Sequence, residues 1–225
     1  MLLQLSGIWK EYQIDEQVVF TALKDINLTI DEGEFTAIVG PSGSGKSTLM
    51  HLIGLLDHPS RGKIKIRNKD ITILNDDEIS TLRSEFVGFV FQSFNLINKL
   101  TVLENILIPT IYARKKLDYN PEEKAKYLIE RFGLQGKENS YPNKISGGQQ
   151  QRVAMARALI MDPKLILADE PTGNLDTKSG NEIMKLLKEL NKTDRRTIVI
   201  VTHEADIATQ TNRLIKMVDG QIVKI

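Results

Sequence analysis

The stretch GPSGSGKST (Gly40–Thr48) carries the most specific chemistry in this sequence. It fits the spacing G-x-x-x-x-G-K-[S/T]. It also stands where that spacing has meaning, after an apolar run (EFTAIVG) and before a helical one (KSTLMHLIGLL). Gly40, Pro41, Ser42, Gly43, Ser44 and Gly45 make a loop whose glycines let successive backbone N–H groups converge on phosphate oxygens. The helix start behind it favours negative charge. Lys46 supplies a point charge for the β- and γ-phosphates, and Ser47, followed by Thr48, offers a hydroxyl to Mg2+. The chemistry expected is binding of a nucleoside triphosphate with Mg2+.

Three further apolar runs end in polar residues that suit the same task. LILADEP ends in Asp169 and Glu170. An aspartate there can hold a water on Mg2+, and the next carboxylate can take a proton from an attacking water. VGFVFQ ends in Gln92, which can touch the metal or the water. TIVIVTH ends in His203, which can bond the γ-phosphate. Taken singly, a strand-end Gln is more often a loop residue and a lone His more often structural. Their joint order after a phosphate loop argues for one site, because ligands of open α/β sheets bind at the carboxyl ends of strands. Tyr12, in WKEYQ, either stacks on a base or packs on the sheet with Trp9.

A second phosphate-reading stretch follows about a hundred residues later. In ISGGQQQR, Ser146 can cap a helix that begins near Gly147. Gly147 and Gly148 would let an anion come close, with Gln149 behind them. This element has no lysine of its own.

The elements needed to position these residues are legible as patterns. INLTI and KIKI alternate with the period of half-buried strands. DDEISTLRSEF (Asp76–Phe86) has acids where a helix N-terminus favours them. VLENILIPTIYARKK, PEEKAKYLIERFG and GGQQQRVAMARALIM read as three helices with no strand between them. The α/β pattern resumes with KLILADEP, a helix in KSGNEIMKLLKELNK, and TIVIVTHE. A last hairpin turns at Asp219-Gly220. The expected fold is an α/β nucleotide-binding core (residues 1–92 and 162–225) with an N-terminal antiparallel β subdomain and an inserted helical subdomain (93–161).

Composition narrows the function classes. The chain has 225 residues with 41% apolar and 26% charged content, which suits a globular domain. Thirty basic against 29 acidic residues leave a formal charge of +1, so no general basic field points to nucleic acid. There is no cysteine, which removes disulfides and thiolate metal sites. No leader pattern and no spanning apolar stretch are evident, so any membrane role is expected to run through a partner.

Taken together, the motifs resemble those of the ATP-binding subunits of ABC transporters, over nearly the whole chain. GPSGSGKST is similar to the Walker A motif and LILADEP to Walker B with its catalytic glutamate. Gln92 falls on the Q-loop, His203 on the switch histidine, SGGQQQR on the ABC signature, GNLD (Gly173–Asp176) on the D-loop and Tyr12 on the A-loop aromatic. The signature is the most specific of these. GFVFQSFNLI, LTVLEN and ADEPTGNLD look most like the lipoprotein-release and macrolide-export (LolD/MacB-type) branch. Asn98 stands where that branch commonly has proline, and Ile145 where leucine is usual.

The resemblance implies an RecA-like ATPase core and an ATP-sandwiched head-to-tail homodimer. Ser146, Gly147, Gly148, Gln149 and Asp176 of one copy would complete the site built on Lys46 of the other. It further implies Mg2+ on Ser47, Gln92 and, through water, Asp169; Glu170 as the residue that polarises water; and His203 at the transition-state charge. The partner would be a separate transmembrane permease, with or without a periplasmic or extracellular adaptor, with this chain peripheral on the cytoplasmic face. Docking is expected between Gln92 and about Leu107, with Phe94 and Glu104 contributing. The expected work is export or extraction of a lipoprotein, peptide or drug-like substrate. The alternative is a regulatory ATPase of the cell-division type that moves no substrate. A soluble repair or translation ATPase is disfavoured by the single nucleotide-binding domain and the neutral charge.

Overall fold

The computed structural model describes residues 1–14 and 17–223. Among the described residues ten strands form two sheets. The first is antiparallel and contains β1 (Leu3–Ile14), β2 (Gln17–Ile30), β4 (Arg61–Ile66) and β5 (Lys69–Asp70), in the order β2-β1-β4-β5. The second holds β3 (Phe35–Val39), β6 (Val87–Val90), β7 (Leu165–Asp169), β8 (Thr197–Thr202), β9 (Arg213–Val218) and β10 (Gln221–Val223), in the order β10-β9-β3-β8-β7-β6. Its pairings are parallel except for the final β9–β10 hairpin. This is a mostly parallel α/β core with an antiparallel β subdomain and added helices.

The central strands are buried on both faces, so their sequences are continuous apolar runs. All six residues of TIVIVT in β8 are buried. One hydrophobic cluster fills the space between the two sheets. It includes Leu3, Ile26, Leu49, Leu52, Leu167 and Val201. A second cluster lies on the other face of the parallel sheet and joins Val90, Ile166 and Ile200 to Val102, Ile106, Phe132, Val153 and Leu187. The helical stretch is therefore packed directly onto the sheet.

The helices are α1 (Lys46–Ile53), α2 (Asp76–Phe86), α3 (Val102–Ile111), α4 (Pro121–Arg131), α5 (Gly147–Leu159), α6 (Thr177–Lys192) and the short α7 (Ala205–Ala208). Local chemistry sets most of their starts. Asn75 and Glu78 form a reciprocal capping box on α2, as do Thr101 and Glu104 on α3 and Ser146 and Gln149 on α5. Asn120 caps α4, with Pro121 at its first position.

Several elements end earlier than the sequence pattern suggests. α1 stops at Ile53 rather than Leu56. Gly54 lets the Phe89 ring and Leu167 pack close, and Leu55 turns left-handed at φ 59°. α3 stops at Ile111, short of the Arg-Lys-Lys stretch. β6 ends at Val90, so Gln92 sits in the turn beyond the strand.

Candidate nucleotide site

The parallel sheet brings the functional strand ends into one row. β3 feeds the Gly40–Thr48 loop, its neighbour β8 leads to His203, and β7 ends at Asp169 with Glu170 next. These ends line a cleft of about 610 Å3 with Ser42–Thr48, Val201, Phe20 and Ala22. Lys46 is 9% exposed. Its ammonium donates to the carbonyls of Gly40 and Pro41, both at 2.8 Å, so it lies across the loop.

The loop is shaped by its surroundings. Gly45, at φ 94°, starts α1, and a Cβ there would lie 2.7 Å from the Ala22 carbonyl. At Gly40 a Cβ would come within 2.2 Å of the Met217 carbonyl. β9 and the turn after it press on the loop from behind. The Gly220 N–H donates to the Ser44 carbonyl at 3.1 Å, and the Lys24 N–H donates to Gly220 at 2.8 Å. The Ser44 hydroxyl is buried without a partner in the protein, which suits a loop organised to bind something else.

Glu170 adopts a left-handed backbone, φ 43°, just before Pro171. Such conformations are costly for residues other than glycine and tend to mark functional sites. Its N–H donates to the Val201 carbonyl at 2.9 Å, and its carboxylate Oε1 lies 2.6 Å from His203 Nδ1. The neighbouring Asp169 is partly buried. Burial first, and then the Glu170 charge, push its carboxyl above the usual aspartate range, against the pull of His51 and Lys46.

Ser47, Asp169 and Lys46 share the cleft. A hydroxyl, a carboxylate and room for water form a hard-oxygen donor set of the kind Mg2+ takes when substrate phosphates supply the rest. Among the described residues no group of three or more His, Cys, Asp or Glu side chains is arranged to hold a metal alone.

The remaining expected residues fall elsewhere. Gln92 does not line this cleft; its amide lies 3.5 Å from Asn174 Oδ1, and Asn174 donates back to the Gln92 carbonyl at 3.0 Å. Tyr12 is 41% exposed and lies under the Lys10 ammonium, 5.1 Å from the ring centroid. It pairs across β1–β2 with Phe20, and it is Phe20 that lines the cleft. The sequence reading missed Phe20, and the strand alternation opposite Tyr12 was the signal for it. Asp176 caps α6 through the Ser179 N–H (3.0 Å) and hydroxyl (2.7 Å). Among the residues lining the Lys46 cleft there is none from Ser146 to Gln149. That stretch begins α5, with Gly148 packed against Ser179 and Gly147 near Leu175.

A phosphate loop between a central parallel strand and a helix, with paired acids two strands away, defines a nucleotide-hydrolysing α/β protein. The family model described as "ABC transporter" matches residues 23–173. The chain is 47% identical over 225 residues to the ABC transporter ATP-binding protein MJ0796 of Methanocaldococcus jannaschii, covering 98% of this chain and 95% of that one. It is 46% identical to the lipoprotein-releasing system ATP-binding protein LolD 1 of Rhodopseudomonas palustris, with 98% of each covered. It is also 46% identical to the macrolide export ATP-binding/permease protein MacB of Chlorobaculum tepidum, but there it spans 34% of the longer relative. The structure superposes on the dimeric post-hydrolysis structure of MJ0796 bound to ADP and phosphate with a TM-score of 0.88, at 44% identity, covering 99% of this chain and 97% of that one. The chain belongs to the ABC transporter family, as an ATP-binding cassette that binds and hydrolyses ATP.

Proposed function

We propose that two copies of this chain close head to tail around ATP and drive a separate membrane permease. The observation that carries this reading is the separation of the two phosphate-reading elements: the Ser146 helix start does not line the cleft that holds Lys46. A two-fold dimer would bring each α5 start to the other copy's loop and make two identical sites. The dimeric MJ0796 structures support this arrangement. ATP would then favour the closed pair over the open one, and hydrolysis would release it.

Within each site, Lys46 and the loop amides would hold the phosphates. Glu170 would orient and polarise the attacking water, with His203 fixing its carboxylate. Ser47 and Asp169 would hold Mg2+, which neutralises phosphate charge when bound. Gln92 would approach only if its turn moves toward the cleft. Ser146, Gly147, Gly148 and Gln149 would complete the other copy's γ-phosphate shell, and Asp176 would fix the start of α6 at the interface. Phe20 is a better placed neighbour for the base than Tyr12.

The permease would dock on a groove beside the Gln92 turn, lined by Leu56, Phe91, Ile108, Pro109 and Tyr112, with Ile111 and Tyr112 76% and 71% exposed. Residues 93–161 would act as the helical subdomain that carries the α5 start and one wall of this groove. Among the described residues no helix is long and apolar enough to cross a membrane. A position at the cytoplasmic face, held through the permease, fits that fact. The likeness to LolD and MacB favours export or extraction of a lipoprotein, peptide or drug-like molecule. The deciding experiment is the Glu170→Gln chain at saturating Mg-ATP, which should bind ATP, turn over barely and run as a dimer by light scattering. A monomer under those conditions would overturn the composite site.

A further inference from the structure

Gln151 lies one turn into α5 and is fully buried. Its amide Nε2 donates to the Pro171 carbonyl at 2.7 Å and reaches the Phe91 carbonyl at 3.4 Å. Pro171 follows Glu170, and Phe91 precedes Gln92. One side chain thus spans from the phosphate-reading helix to the backbone beside both polar groups. Its Oε1 is buried with no partner. An apolar side chain of equal length would fill the same space without stranding an acceptor, so packing alone does not account for an amide here.

We propose that Gln151 is a positioning residue for ATP hydrolysis, tying the start of α5 to the peptides that carry Glu170 and Gln92. The left-handed Glu170 is pinned on one side by its own N–H on Val201 and on the other by the Gln151 bond to Pro171. Two turns further along α5, Arg157 donates to the carbonyls of Phe94 (2.7 Å) and Asn95, which are themselves left-handed at φ 60° and 49°. α5 therefore grips residues 91–95 at both ends. A shift of α5 on meeting phosphate passes directly to Glu170 and Gln92. The inference rests on the reading of α5 as the element that meets the other copy's nucleotide.

The test begins with Gln151→Met, which keeps length and apolar volume and removes the donor. The expected result is a kcat at least tenfold lower, with ATP affinity of the isolated chain, titrated with a fluorescent ATP analogue, within twofold. The Gln151→Met/Glu170→Gln double variant should still dimerise with Mg-ATP. A kcat within twofold of the parent, or equal losses of kcat and ATP affinity, would overturn the role. Gln151→Glu supplies an independent reading. A protonated acid can donate to Pro171 and a carboxylate cannot, and burial favours the acid form. Its kcat relative to the parent should rise as pH falls from 8 to 6, and a flat ratio would count against the proposal. Failure of the composite site reads differently, because Glu170→Gln alone would then stay monomeric.

Discussion

The Glu170 carboxylate and the His203 ring are held together at 2.6 Å, from the ends of two neighbouring strands. The carboxylate is mostly buried and the ring mostly exposed. Each therefore fixes the other: the ring limits the rotamers of Glu170, and Glu170 keeps the ring over the cleft. Such a pair acts as a unit, and the effects of its members are not additive.

His203→Ala should lower kcat by roughly 10^2-fold or more, the scale of a lost positioned acid–base group. Glu170→Gln should cost at least as much. The double variant should be little worse than the poorer single one. Steady-state phosphate release measures all three, and fully additive losses would show that the contact has no part in turnover.

Ser146→Arg should abolish turnover while leaving nucleotide affinity of the isolated chain nearly unchanged, because Ser146 lies outside the cleft of its own chain. The cap it forms with Gln149 is also lost, at about 1 kcal/mol. Ser146→Asp serves as the control that keeps a capping side chain. Equal loss of ATP affinity and turnover in the arginine variant would place the signature in its own chain's site.

Asp169 gives a prediction in pH. Its folded-state carboxyl titrates above the unfolded value, so the folded chain binds that proton more tightly. Stability therefore falls as pH rises from the unfolded value through the folded one, and the cost is fully present above the folded value. Asp169→Asn should raise the Tm of the nucleotide-free chain at pH 7, on the order of 2–4 °C, and should weaken the effect of Mg2+ on ATP binding. Calorimetry with and without Mg-ATP checks both. A lower Tm at pH 7 would contradict the electrostatic account.

The groove for the permease predicts a separation of activities. Ile111→Asp and Tyr112→Ala should leave the ATPase of the isolated chain within about twofold, as exposed substitutions usually perturb little. They should abolish co-purification with the permease. Charge reversal at Glu104 is a poor probe of docking. Glu104 caps α3, accepting the Thr101 N–H at 2.7 Å, so its loss acts through the helix. Retained permease binding in the Ile111 and Tyr112 variants would place the docking surface elsewhere.

The readable parts of this molecule were those fixed by short-range chemistry. α2 begins at Asp76 and ends at Phe86 as its acids and periodicity indicate. α5 begins at Gly147 because Ser146 caps it. The phosphate loop, Asp169, Glu170 and His203 converge because strand ends in a parallel sheet lie side by side. Gln92 was placed at a strand end, yet β6 is the sheet edge and its pairing stops at Val90 with Ala168. The left-handed Phe94 and Asn95 that follow carry no Gly or Pro to announce the turn. Gln151 and Asn174 were illegible for another reason: their partners lie many residues away and only the folded chain brings them together. Of the apolar side chains in FNLI and ENILIP, Ile106 is core, while Ile97 remains on the surface.

The brace behind the phosphate loop has a consequence for biosynthesis. Residues 40–48 are made well before the backbone that presses on Gly40 and holds Ser44, which comes from Met217 and Gly220. Those contacts are of high sequence separation and must form late. A nascent or prematurely ended chain that lacks residues 217–220 would carry the entire nucleotide motif with nothing behind it. Competence to bind ATP would then arrive only after residue 220 has been made, which keeps shorter chains from competing for nucleotide or for a partner copy.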